Sequence, residues 1–173
     1  MEEKKERKSA SYRICITALF MAANVGLSSF GLPVPGGHLY MNDIVICAAA
    51  IMLDPFAAFM VGGVGAFVGD LLFYPLPMFV SLVTHGLQAV VISLFSHRVL
   101  KNRPVLASGI GVAVGAVIMV AGYSLGRAFI YSTPEYALLK LPYQILQAAV
   151  GAVAGMLLCW RYGLLKAYKK AIR

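Results

Sequence analysis

The side chains able to do chemistry in this sequence are few, and they recur at helical spacing. Ser81, Thr84, His85 and Gln88 fall at i, i+3, i+4 and i+7, which puts two hydroxyls, an imidazole and an amide on one stripe of a helix. Tyr123 with Arg127 and Gln144 with Gln147 are also same-face pairs. Asn42 and Asp43 follow Gly36-Gly37-His38 and Tyr40, and Asp70 closes an apolar run. Groups of this kind can bind a small polar molecule through hydrogen bonds and charge. The bland alternative is that Asp43, Asp70, His85 and Arg127 neutralise one another and staple helices together. A second chemistry is written in Gly122-Tyr-Ser124-Leu-Gly126, which fits G-x-S-x-G and would make Ser124 a nucleophile with His85 as base. That motif needs a sharp strand-to-helix elbow, and here it lies inside a continuous helical run. Cys15, Cys47 and Cys159 are isolated in apolar stretches, with no C-x-x-C pair and no histidine cluster. No disulfide, metal site or cofactor is therefore expected.

The elements that must position these groups follow from composition. Of 173 residues, 60% are hydrophobic and 13% charged, against roughly 45–50% and 25% in soluble domains. Mean hydropathy is +0.80. These values exclude a disordered chain, a nucleic-acid-binding domain and an ordinary cytosolic enzyme. Breaks at Gly/Pro clusters and charges divide the chain into spans of about 12–30, 39–53, 56–73, 78–95, 105–131 and 139–160, followed by a basic tail. The expected fold is an all-α integral membrane protein forming one domain over 1–173, with six transmembrane helices. The first span is long and no A-x-A-like site follows it, so it reads as retained rather than as a signal peptide.

Orientation comes from the basic residues. Thirteen of the fifteen Lys and Arg lie in the N-terminal arm, the 96–104 loop and the tail. With six spans these three segments share one side, and the positive-inside rule makes it the cytoplasm, with both termini there. Only Arg127 and Lys140 remain, both near the opposite face. Sorted by depth, nearly every polar side chain within the spans then falls in the outer leaflet. Below it the sequence is Ala, Gly, Val and Leu. A mid-membrane charge costs at least ~2.5–3.5 kcal/mol, so such residues face a bundle interior or a cavity. The pattern describes a polar cup that opens outward above an apolar base. Gly111-x-x-x-Gly115, Gly151-x-x-x-Gly155 and the glycines at 62, 63, 65 and 69 let helices approach closely, and most of them serve internal packing.

The ordered stretches Gly37-His-Leu-Tyr-Met-Asn-Asp43, Leu53-Asp-Pro55, Gly62-Gly-Val-Gly65, Gly69-Asp-Leu71, Tyr74-Pro75, Thr84-His-Gly-Leu87, Gly122-Tyr123 and Leu141-Pro-Tyr-Gln-Ile-Leu-Gln147 carry a resemblance over about residues 12–160. The chain resembles the S components of energy-coupling factor (ECF) vitamin transporters, in the branch with predicted pyridoxine and hydroxymethylpyrimidine carriers. The resemblance implies a vitamin site near the outer face beneath the loop joining helices 1 and 2. It also implies docking onto a transmembrane T component that carries two cytoplasmic ATPases. Ala18 and Ala22 match the A-x-x-x-A pattern through which family members dock. The sequence departs from the branch at three wall positions: His85 stands where Lys is usual, Arg127 where an acid is usual, and Gln144 where Asn is usual. The cup is thereby more cationic unless Asp43 or Asp70 compensates, and Arg127 is placed to read an anionic or strongly hydrogen-bonding group.

The functional expectation is a substrate-capturing subunit in a prokaryotic plasma membrane, not an enzyme. It would take a small water-soluble vitamin or precursor, pyridoxine-like or pyrimidine-like, from outside. The candidate substrate-binding residues are His38, Tyr40, Asn42, Asp43, Asp70, Thr84, His85, Tyr123, Arg127, Gln144 and Gln147. No G-x-x-x-x-G-K-[ST] loop occurs, so energy is expected from partner ATPases. The alternatives are an intramembrane serine hydrolase using Ser124 and His85, and a self-contained secondary transporter, against which the lack of an inverted repeat argues.

Overall fold

The structure, a computed structural model, describes the backbone of residues 2–172 and the side chains of residues 10–172. The first helix, α1 (Glu2–Ser28), leads into a small antiparallel hairpin of β1 (Leu32–Val34) and β2 (Gly37–Leu39). Leu32 pairs with Leu39, Pro33 with His38 and Val34 with Gly37. The turn depends on Gly36 and Gly37, whose φ angles of +79° and +142° disfavour side chains. Next come α2 (Asn42–Met52) and four long helices: α3 (Pro55–Phe73), α4 (Met78–Arg98), α5 (Pro104–Tyr131) and α6 (Pro134–Arg161). A short helix, α7 (Leu164–Ala171), ends the described chain.

The boundaries have local causes. Asp54 caps α3, its Oδ1 accepting from the Phe56 and Ala57 amides at 3.1 Å, with Pro55 in the first turn. Pro104 and Pro134 likewise open α5 and α6. Gly163, with φ of +76°, breaks the chain between α6 and α7. Helices α3, α5 and α6 each contain a π-helical turn, at Met60–Val64, Arg127–Tyr131 and Leu157–Arg161.

Among the described residues, five helices, α1 and α3 to α6, are long and apolar enough to cross a membrane. Their outward faces carry large apolar side chains such as Phe79, Val83, Val117 and Phe129, the last 78% exposed. That surface suits lipid and would be unstable in water. The expected second span over 39–53 needs correction. Leu39 belongs to the hairpin, and α2 has 11 residues, about 16 Å at 1.5 Å per residue against roughly 30 Å of hydrocarbon. Because α2 is buried in the bundle along most of its length, it needs no lipid contact and can be short. The expected basic tail is also partly helical. In α7 the apolar side chains Leu165 and Tyr168 join the buried core beneath the end of α2, with Met52 and Leu53, while Lys166, Lys169 and Lys170 stay exposed. The last long helix, α6, begins at Pro134, earlier than the 139 expected for the sixth span.

Glycine sets the helix crossings. Along α5, Gly111, Gly115, Gly122 and Gly126 receive Phe95, Ile92, Thr84 and Val80 of α4, so closely that a Cβ at each glycine would lie only 2.5–2.9 Å from its neighbour. Gly151 and Gly155 of α6 lie against Asp43 and Cys47 of α2 in the same way. Without apolar driving force between helices in lipid, such contacts supply much of the association. Gly151→Ala would place a methyl 2.5 Å from Asp43 Cβ, whereas the nearest atom to a Cβ at Gly109 is Met156 Cε at 3.9 Å. Thermal unfolding in detergent should show Gly151→Ala destabilised by about 1–3 kcal/mol, with Gly109→Ala neutral or stabilised by up to ~1 kcal/mol.

Candidate functional site

The hairpin, α2 and the adjoining ends of α3 to α6 enclose a hollow with about 580 Å³ of empty space, its open mouth included. His38, Tyr40 and Gly37 form the hairpin side, Asn42 comes from α2, Asp70 from α3 and His85 from α4. Tyr123, Arg127 and Tyr131 line it from α5, and Lys140, Gln144 and Gln147 from α6. Nine of the eleven expected binding residues therefore meet at one cavity. Thr84 does not: it is buried against Gly122, where its hydroxyl and methyl fill the space a side chain would take. Asp43 stands just behind the wall.

Asp43 is 1% exposed, and it organises what faces the hollow. Its Oδ1 accepts from Gln88 Nε2 at 3.1 Å and its Oδ2 from Gln147 Nε2 at 2.7 Å. An ionised carboxylate can only accept, so both glutamines must turn their nitrogens toward it and their carbonyls away. The Gln88 carbonyl then accepts from His85 Nδ1 at 2.7 Å, and the Gln147 carbonyl from the Tyr40 amide at 3.1 Å. A neutral His85 is thus the Nδ1–H tautomer, and its Nε2 is free to accept. Hydrogen bonds to a charged group contribute about 1.5–3 kcal/mol each, enough for two to offset the ~2.5–3.5 kcal/mol of holding a carboxylate in a membrane.

A second cluster lies on the neighbouring wall. Ser81 Oγ donates to Asp70 and sits 2.5 Å from the Tyr123 hydroxyl. The Tyr123 ring meets His85 edge-on at 5.1 Å between centroids. Burial, and then the negative charge of Asp70, raise the Tyr40 phenol above its ordinary value, so it remains a neutral hydrogen-bond donor. At the roof, Arg127 Nη1 donates to Gly36 O at 2.6 Å and Lys140 Nζ to His38 O, fastening the hairpin to α5 and α6. Three buried polar atoms on the cavity wall have no partner among the described residues: Asn42 Oδ1, Arg127 Nε and the Tyr131 hydroxyl. Asn24 Oδ1, Ser96 Oγ, Ser108 Oγ, Ser124 Oγ and Trp160 Nε1 are likewise unpartnered among the described residues, away from the hollow.

Sequence reasoning missed Lys140 and Tyr131 as site residues, although the signal was present. Lys140, Gln144 and Gln147 fall at i, i+4 and i+7, and Tyr123, Arg127 and Tyr131 at i, i+4 and i+8. The Ser124 hydrolase reading finds no support. Ser124 lines a separate apolar groove between α5 and α6, while His85 lines the polar hollow with Nδ1 engaged by Gln88. Ala18 and Ala22 are exposed on α1. Gln147→Ala would cut the link from Asp43 to the hairpin and leave Asp43 Oδ2 without its donor. Hydrogen–deuterium exchange should show the Tyr40 amide exchanging at least about tenfold faster if ~1.4 kcal/mol of local protection is lost. Unchanged exchange at Tyr40 would refute the link.

Over 126 residues, 72% of this chain, the sequence is 29% identical to a Pyrococcus woesei protein described as an uncharacterized protein in a gap 3′ region, covering 82% of that protein. The family description "ECF-type riboflavin transporter, S component" matches residues 8–164, nearly the whole chain. That match, over a chain with several helices long and apolar enough to cross a membrane, shows that the chain belongs to the ECF-type riboflavin transporter S component family.

Proposed function

We propose that this multi-pass membrane protein is the substrate-capturing subunit of a prokaryotic ECF importer, holding its vitamin in the hollow beneath the hairpin. The hairpin end faces outward and the basic end faces the cytoplasm. The concentration of Lys and Arg in the N-terminal arm, the 96–104 loop and the tail supports that orientation. The observation that carries the proposal is that Asn42, Arg127 and Tyr131, each with an unpartnered buried polar atom among the described residues, line one cavity. Aromatic rings from Tyr40, Tyr74, Tyr123 and Tyr131, with both His38 and His85, line the same space and suit a flat heteroaromatic guest. The ligand is a vitamin or precursor of the pyridoxine or pyrimidine kind. Riboflavin, which the family description names, is the competing ligand.

Delivery runs through a T component with two cytoplasmic ATPases, which the S component meets through the exposed small-residue face at Ala18 and Ala22. Small residues there leave room for a partner helix to approach its backbone.

Mass spectrometry of small molecules co-purified with the full-length protein tests the ligand class. One pyridoxine-type or pyrimidine-type molecule per chain is expected. Retained riboflavin would keep the capture function and overturn the ligand choice, and retention of no vitamin, with no binding on addition, would overturn both. Against the retained ligand, Arg127→Ala should weaken calorimetric affinity tenfold or more, as loss of a charged contact of ~1.5–3 kcal/mol requires.

A further inference from the structure

We infer that the roof of the hollow is an anion subsite, in which Arg127 and Lys140 together select a ligand that carries a carboxylate or phosphate group. The inference rests on the hollow being the vitamin site. Among the described residues, the one acid–base pair within salt-bridge distance is His85 with Asp43, so neither Arg127 nor Lys140 faces a carboxylate partner. Lys140 is nevertheless only 3% exposed, and Arg127 is half-buried with its Nε sealed from solvent. Cations in such places are normally paired, because burial removes their hydration.

What they hold instead is the hairpin backbone. Arg127 donates to Gly36 O and Lys140 to His38 O, and the Gly36-Gly37 turn passes between them. A side chain at Gly36 would lie 3.0 Å from Lys140 Cβ, and one at Gly37 would lie 3.3 Å from Arg127 Nη1. A carbonyl is a neutral acceptor, and each cation keeps unused donors: the Nε and second Nη of Arg127, and the remaining ammonium protons of Lys140. A guanidinium fork beside an ammonium matches an oxyanion better than either matches a lone carbonyl.

The acids of the site are already committed. Asp43 accepts from two glutamines, and Asp70 accepts from Ser81. Among the described residues neither carboxylate lies within salt-bridge distance of Arg127 or Lys140, so the roof carries two positive charges with no directly paired acid. Arg127 and Tyr131 also line a second hollow, together with Gly36 and Gly37 of the turn. At the opposite end His85 offers an accepting Nε2. The ligand the walls describe is thus polarised, with its anion under the hairpin and a hydrogen-bond donor against His85.

Isothermal titration calorimetry on the full-length protein in nanodiscs separates this from its alternatives. The probes are two matched pairs, pyridoxine with pyridoxine 5′-phosphate and riboflavin with riboflavin 5′-phosphate, plus 4-pyridoxic acid as the carboxylate. In at least one pair the phosphate, or for pyridoxine the carboxylate, should bind tenfold or more tighter than its neutral parent. That ratio should collapse toward one in Arg127→Gln and in Lys140→Gln, and should be largely kept in Arg127→Lys. Parents that bind as tightly as their anionic forms, or a ratio unchanged by both glutamine variants, would overturn the anion subsite while leaving the vitamin site standing. If no member of either pair binds, the vitamin-site reading falls and takes this inference with it.

Discussion

One buried carboxylate governs the arrangement. Asp43 sits where three helices and the hairpin converge, in a protein whose surroundings are hydrocarbon rather than water. It cannot stay ionised there without donors, and the donors it finds are two amides whose orientation it then dictates. Each amide passes the constraint on. Through Gln88 it fixes which nitrogen of His85 carries the proton, and through Gln147 it ties the hairpin down at Tyr40. A single charge therefore sets both the chemistry of the cavity floor and the position of its cover.

The packing beneath serves the same end. Glycines at 151 and 155 bring α6 against the buried α2, and those at 111, 115, 122 and 126 bring α4 against α5. The buried core below the hollow is built mainly of Ala, Ile, Met and Leu. The polar side chains that line the hollow gather at the hairpin end. The π-helical turn that starts at Arg127 belongs to this end; such turns commonly re-aim side chains at functional positions.

Much of this was legible in the sequence because helical spacing is a strong signal. The stripe Ser81, Thr84, His85 and Gln88 did fall on one buried face, and nine of the expected polar residues line one hollow. Other features were illegible for physical reasons. The apolar run of α2 reads as a short span, because burial in protein and burial in lipid select the same residues, so its enclosure within the bundle was hidden. Thr84 looks like its polar neighbours in sequence, but the absence of a side chain at Gly122 makes it a packing residue. Lys140 read as an interfacial charge, since nothing in the sequence shows that a hairpin carbonyl would fold over it. The amphipathic pattern of α7 is confined to eight residues, too few to stand out from a basic tail.

Capture from outside requires a water-filled cavity that opens at the hairpin end and nowhere else. Substituted-cysteine accessibility tests this directly, in a chain whose three native cysteines are replaced by alanine. A membrane-impermeant maleimide added to intact cells should label Tyr131→Cys and Gln144→Cys, both on the cavity wall, and should leave Ala107→Cys in the apolar core unlabelled. Failure of both wall positions to react from outside, or reaction only after the membrane is opened, would contradict the account.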